Sequence, residues 1–378
     1  TLPRVRPSSQ PRPLPARTGS RGRNPALSAV AERAPGLLSI RQSPLVGRQD
    51  IRTILREICD EVIDGEGPTH RLVILVGPAG SGKSRIAEWL CQSVHEEGTM
   101  TPLRARYRSV RGTNDGVLGA VTQYYNFERA DRDTIERSLL QRWGVRRTDK
   151  VTRTWVAGAA EWIRPVGHIS DAPVGPTGVR FALDTLATRR TVSRYVVRRI
   201  GRARPLLFWL DDLHNASEST FEGFLKMHEE DADQRYVIVA TVRAEEVHLG
   251  TPAAERLRHL REKMDGLAID VTPLEPEITQ ELLRQSLPLE DEAVREAARR
   301  SRGNPLFALQ QLHAWALGGD LKLVDGKYRV PSEVLAVRPK TTAELWDSRV
   351  NALPEEHRLA AYATSTMSGD LRREVLRP

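Results

Sequence analysis

Cysteine is nearly missing from this 378-residue sequence: Cys59 and Cys91 are the only two, too few for a disulfide framework or a zinc cluster. Each sits in an apolar helical pattern and reads as a buried free thiol. No uninterrupted apolar run approaches the ~20 residues that a membrane span requires, which excludes a spanning helix. Aromatic residues make up 5% of the chain and are almost absent from its opening stretch. That stretch starts at Thr1 and has no apolar block that could serve as a secretion signal, so the chain reads as a cytoplasmic, internal piece of a longer polypeptide.

Negative charge is scarce in one place. Residues 1–41 carry eight arginines against a single acid, Glu32, so they supply +7 of the net +8 and leave about +1 for the rest. With seven prolines as well, this segment cannot bury enough apolar area to offset its ordering entropy. Residues 1–43 read as a disordered basic Pro/Arg-rich linker. The near-neutral remainder argues against nucleic acid as a partner, because non-specific affinity comes mainly from basic groups that neutralise phosphates. At ~150 residues per domain, the length accommodates two or three domains.

Order is expected from Pro44. Ile51, Ile54, Leu55, Ile58 and Val62 share one helical stripe, broken by Asp64 to His70. Arg71 to Val76 then form a short, continuous apolar run of the kind found in parallel strands covered on both faces. GPAGSGKS, Gly77 to Ser84, comes next and is followed by helical periodicity. A phosphate-cradling loop demands glycine at the first and sixth positions, lysine at the seventh and serine or threonine at the eighth. Gly77 and Gly82 let backbone N–H groups turn inward, and the following helix adds its positive end. Lys83 is placed to reach terminal phosphates and Ser84 to ligate Mg²⁺. Pro78, Ala79, Gly80, Ser81 and Arg85 complete the expected nucleotide-binding set.

A second acidic element is needed for hydrolysis. Leu206 to Leu210 form a buried strand ending in Asp211 and Asp212, at the carboxyl end where parallel sheets meet their ligands. Asp211 is expected to hold Mg²⁺, directly or through water, and Asp212 to orient water or act as general base; helix capping is the alternative. A third strand, Tyr236 to Val242, ends in Arg243, which either contacts the terminal phosphate or pairs with Glu245 or Glu246. Leu103 to Arg108 and Leu267 to Val271 fit the same sheet, and the alternation with helices is that of an α/β parallel sheet. The nearest match to a guanine-reading motif, Glu262 to Asp265, has the wrong first residue, which leaves adenine as the default. Residues 109–200 carry no assigned chemistry. There Trp143, Trp155 and Trp162 read as core anchors, and the basic helix over 185–204 as a solvated face.

After Pro273 the pattern is helical, with Ile278, Leu282 and Leu283, then Val294, Ala297 and Ala298. Asn304 and Pro305 look like the N-cap and first residue of a helix closed by Gly318 and Gly319. Leu321 to Val330 read as a hairpin around Asp325-Gly326, and two helices broken at Pro354 follow.

LVGR at Leu45 to Arg48, GPAGSGKS, LLFWLDD, the TVR ending at Arg243, RGNPLFAL at Arg302 to Leu309, and RPKTTAELWDSRVNALPEE resemble, in order and spacing, the AAA-type STAND ATPases. More narrowly, residues 44–378 resemble the ATPase region of bacterial serine/threonine kinase and AAA-ATPase fusion proteins. The resemblance implies a P-loop NTPase parallel sheet over 44–272, a helical lid over 273–318, and a hairpin with the start of a winged-helix domain over 319–378. It implies ATP/ADP and Mg²⁺ as cofactors, and an adenine slot involving Val46, Arg48 and Pro305. It also makes Arg243 a phosphate sensor on a strand between the phosphate-loop and Asp211 strands. Lys83, Asp212 and Arg243 would carry the catalysis of a slow ATPase whose output is domain opening on ADP/ATP exchange. An upstream kinase or effector domain, a downstream sensor domain in the same polypeptide, and self-association on activation are implied in the same way. A DNA-associated AAA ATPase gripping duplex through its winged helix is the alternative. The chain departs from many relatives at His214 and Ser217, where tryptophan and a further aspartate are common, a change that bears on hydrolysis rate more than on binding.

Overall fold

The computed structural model describes residues 44–110, 112, 115–166, 174–336, 350, 351, 354, 355 and 357–359. The expected linker over 1–43 lies outside these residues, as do most of the two helices expected around Pro354. Helix α1 (Gln49–Asp64) leads to β1 (His70–Gly77), and the glycine-rich loop then connects β1 to α2 (Lys83–Glu96). With β2 (Thr101–Arg106), β3 (Leu206–Asp211), β4 (Tyr236–Arg243) and β5 (Leu267–Asp270), β1 forms one parallel sheet in the order β2-β3-β4-β1-β5. The strand carrying Arg243 therefore lies between the loop strand and the Asp211 strand.

Alternation of side chains along a strand gives the sheet two cores. Val73 and Leu75 of β1 join Leu55, Ile58, Ile86 and Leu90 on the α1/α2 side. Leu72 and Ile74 join Leu103, Phe208 and Ile238 on the other. The edge strand β2 begins two residues before the expected Leu103 and stops at Arg106. Thr101 N–H bonds to the Pro205 carbonyl, so the next position faces away from β3, and Pro102 costs no ladder bond there.

The uninterpreted stretch 109–200 supplies α3 (Gly116–Tyr125), α4 (Arg132–Arg142), α5 (Lys150–Ile163) and α6 (Leu186–Ile200). Trp143, Trp155 and Trp162 are partly buried against the second core. Trp143 Nε1 donates to the Tyr125 hydroxyl at 3.1 Å, and Trp155 stacks on Tyr195. Arg132 is held between the buried carboxylates of Glu136 and Glu161. The basic helix α6 is not a solvated face. Its arginines at four-residue spacing meet the acids of α7 (Glu218–Glu230) and the turn beyond it. Arg190 pairs with Glu222, Arg194 with Glu230 and Asp231, and Arg198 with Asp231 at 2.5 Å and Asp233 at 2.6 Å. A cleft of about 520 Å³ between α6 and α7, floored by Trp162, Phe208 and Phe224, lies apart from the glycine-rich loop.

Helix α8 (Pro252–Lys263) precedes β5, and α9 (Pro276–Ser286), α10 (Asp291–Ser301) and α11 (Pro305–Leu317) pack together after it. The hairpin β6 (Lys322–Val324) and β7 (Lys327–Arg329) and the short α12 (Ser332–Ala336) follow. Val46, Leu274 and Leu282, with Ile278 and Leu309, form a third cluster tying the segment before α1 to these helices. Gly303 makes the approach possible. Its φ of +75° is left-handed, and a Cβ there would lie 2.3 Å from the Leu274 carbonyl oxygen. Among the described residues, no helix is long and apolar enough to cross a membrane.

Cys59 is buried in α1 and Cys91 half-buried in α2. Burial pushes both thiols up to about 12, so the reactive thiolate is scarce near neutrality. A thiol reagent at about pH 8 should leave both cysteines untouched in the folded protein and modify both after denaturation. A rapid reaction of the native chain would contradict this packing.

Candidate functional site

The β1–α2 loop stands at the carboxyl ends of three adjacent parallel strands, where such sheets open their crevice. Glycine shapes it. Gly80 and Gly82 have φ of +80° and +98°, backbone that side chains rarely adopt, and a Cβ on Gly77 would lie 2.5 Å from the Val271 carbonyl oxygen. Lys83 opens α2 with its side chain buried. Its Nζ donates to the carbonyl oxygens of Gly77 and Pro78, both at 2.8 Å, and to Ser81 Oγ at 3.4 Å. Burial lowers its pKa; among nearby charges Glu245 and Asp212 oppose that shift, and Arg243 adds to it.

Ser84 and Asp211 meet directly, with the hydroxyl donating to Oδ1 at 2.8 Å. Thr241 on β4 donates to the same oxygen at 3.0 Å, and Arg104 on β2 donates to Oδ2 at 2.8 Å. The Arg104 guanidinium also lies 3.7 Å from the centre of the Trp209 ring, a cation–π contact. Burial pushes the Asp211 carboxyl up, but the bonds from Arg104, Ser84 and Thr241 outweigh it and hold the group below the usual carboxylate range. Sequence reading missed Arg104 and Thr241. The available signals were the alternation of Arg104 and Arg106 on the edge strand and the threonine two places before Arg243.

Asp212 sits at φ +56°, a conformation costly for anything but glycine, asparagine or aspartate. Its N–H donates to Thr241 Oγ1 at 2.9 Å and its carboxylate pairs with Arg243 at 3.2 Å. Asp212 precedes the short helical turn Leu213–Asn215, but its side chain makes no cap bond there, and Ser217 is the residue preceding α7. Arg243 likewise pairs with Asp212 and not with Glu245 or Glu246. His214 is buried beneath Arg243 N–H, with Nδ1 at 3.5 Å, and burial lowers its pKa.

Two outside segments grip the loop. Glu245, in the turn after β4, accepts from Ala79 N–H at 3.1 Å. Asn304 caps α11 by accepting from Phe307 N–H, and its Nδ2 donates to the Ala79 carbonyl at 2.9 Å. Leu306 N–H reaches the Gly80 carbonyl at 3.3 Å. Arg48, at φ +61°, donates to the carbonyls of Ser81 and Thr272, and burial lowers its pKa.

The loop from Ala79 to Ser84 borders a cleft of about 530 Å³. Val46, Leu274, Leu282, Pro305 and Leu309 provide apolar walls, and Arg48, Lys83, Ser84, Arg85, Asp212 and Arg243 provide polar ones. Gly77 and Pro78 form the base that receives the Lys83 ammonium, and Asp211 lies buried behind Ser84. No cluster of three or more His, Cys, Asp or Glu side chains suited to a metal occurs among the described residues. One carboxylate beside one hydroxyl is a donor set that fits Mg²⁺, an ion usually bound through few protein oxygens with water and substrate phosphates completing its shell.

A family profile described as "AAA ATPase domain" matches residues 44–239. No curated protein matches the chain. Solved structures similar to it include a mutant RuvB from Thermotoga maritima, with a TM-score of 0.42 and 13% identity over 89% of this chain and 83% of that one. A Signal Transduction ATPase with Numerous Domains (STAND) protein with a tetratricopeptide repeat sensor, from Pyrococcus horikoshii, has a TM-score of 0.42 and 12% identity, covering 89% of this chain and 37% of that one.

Proposed function

The chain belongs to the AAA ATPase domain family and is an ATPase of the P-loop NTPase fold, and from that premise we propose that it acts as a STAND-type switch. In this reading it binds ATP or ADP in the loop cleft, hydrolyses ATP slowly, and converts exchange into movement of a helical lid, residues 273–318, against the nucleotide-binding part, 44–272. The observation that most supports it is the grip on Ala79: the β4 end holds its N–H through Glu245, and α11 holds its carbonyl through Asn304. Whatever displaces the loop backbone is felt by both.

Val46, Arg48 and Pro305 would wall the adenine, and the backbone from Gly77 to Arg85 would hold phosphates. Lys83 would turn its ammonium from the Gly77 and Pro78 carbonyls toward the terminal phosphates. Ser84 and Asp211 would hold Mg²⁺, which when bound neutralises charge on phosphate oxygens. Asp212 would orient or deprotonate the attacking water. Arg243 would exchange Asp212 for the terminal phosphate. A kinase or effector domain, a sensor domain and self-association belong to the same reading.

Moving an equilibrium from 1:99 to 99:1 takes ~5.5 kcal/mol of differential affinity, and one charge-assisted contact supplies ~1.5 to 3 kcal/mol. A partial ATP-dependent opening is therefore expected, read by fluorescence transfer between dyes on the two parts, and Arg243→Ala should remove most of it. Identical distances with ADP and a non-hydrolysable ATP analogue would leave a simple ATPase.

A further inference from the structure

Glu245 is the one carboxylate bonded to a backbone N–H of the glycine-rich loop among the described contacts. It is exposed and lies two residues beyond Arg243, at the end of the strand beside β1. Four charged groups act on the Lys83 ammonium, Glu245, Asp212, Arg243 and Asp211, with Glu245 the strongest of them. In the reading above Lys83 meets the terminal phosphates, and Glu245 reaches that end through Ala79, which lines the cleft together with Lys83 and Arg243. Arg243 is already paired with Asp212, which leaves the Glu245 charge to be met by the loop.

We propose that Glu245 is a specificity-determining residue that makes the site prefer nucleoside diphosphate over triphosphate. Its carboxylate occupies a loop amide on the terminal-phosphate side, so a triphosphate must displace or face a like charge that a diphosphate does not meet. This rests on the phosphate-site reading above. The bias is modest, because the carboxylate is exposed and screened. Its consequence is directional: with diphosphate bound, the Glu245 bond to Ala79 persists and keeps the β4 end on the loop.

The test is titration of the full chain with fluorescent ADP and with a fluorescent non-hydrolysable ATP analogue, in wild type, Glu245→Gln and Glu246→Gln. Glu246 is the neighbouring exposed acid and makes no loop contact among the described hydrogen bonds, so it controls for net charge. Glu245→Gln should tighten the triphosphate about three- to fivefold relative to the diphosphate, and Glu246→Gln should leave the ratio unchanged. An unchanged ratio in Glu245→Gln, or an equal shift in both variants, would overturn the assignment while the nucleotide site stands. Failure of the wild-type chain to bind either nucleotide would overturn the site and the assignment together.

Discussion

Lys83→Ala is expected to weaken binding of a fluorescent ATP analogue by at least about two orders of magnitude and to leave the fold intact. Two charge-assisted contacts from the ammonium to terminal phosphates, at ~1.5 to 3 kcal/mol each, sum to ~3 to 6 kcal/mol, a factor of roughly 10² to 10⁴. The fold should survive because the Lys83 bonds go to loop carbonyls, whereas α2 is anchored by Ile86, Leu90 and Val94. Alanine is also the best helix former for that first turn. Nucleotide titration and a thermal melt decide it together, and an unchanged dissociation constant would remove the loop from the phosphate site.

The second large effect separates the adjacent acids. Asp212→Asn should retain binding of magnesium and ATP but lose turnover by a factor of about 10² or more, the scale of a lost general base. Asparagine is as tolerant of the left-handed backbone as aspartate, so the +56° φ at this position does not confound the comparison. Asp211→Asn should act differently. Arg104, Ser84 and Thr241 converge on that carboxylate, and neutralising it should weaken the magnesium dependence of nucleotide binding measured without turnover. Equal turnover in wild type and Asp212→Asn would assign the second acid to pairing with Arg243 alone.

The site was legible where neighbours in the chain are neighbours in space. A strand, eight loop residues and a helix are contiguous, so Gly77 to Ser84 could be read as one device, and the acids ending Leu206 to Leu210 followed from parallel-strand geometry. Contacts that close over long separations were not legible. Arg104 reaches Asp211 across 107 positions, Glu245 reaches Ala79 across 166, and Asn304 reaches the same residue across 225. Asn304 was readable as a helix cap from its place before Pro305, but only half of its side chain is used that way. The stripe Arg190, Arg194, Arg198 was visible in the sequence as well. Its acids sit on α7 and the turn after it, and which helix faces which is decided by the order of strands beneath them.

The composition shift at Pro273 marks a change of architecture, but the contacts that cross it make a poor place to cut. Asn304 donates to the Ala79 carbonyl and Leu306 N–H to the Gly80 carbonyl, while Val46 packs with Leu274 and Leu282. A cutting point drawn there would strand Val46 in water and release one side of the glycine-rich loop. The sheet and the three helices after it are thus two architectures with one shared seam. Swapping either between relatives would succeed or fail on whether that seam travels whole, from residue 45 on one side to residue 309 on the other.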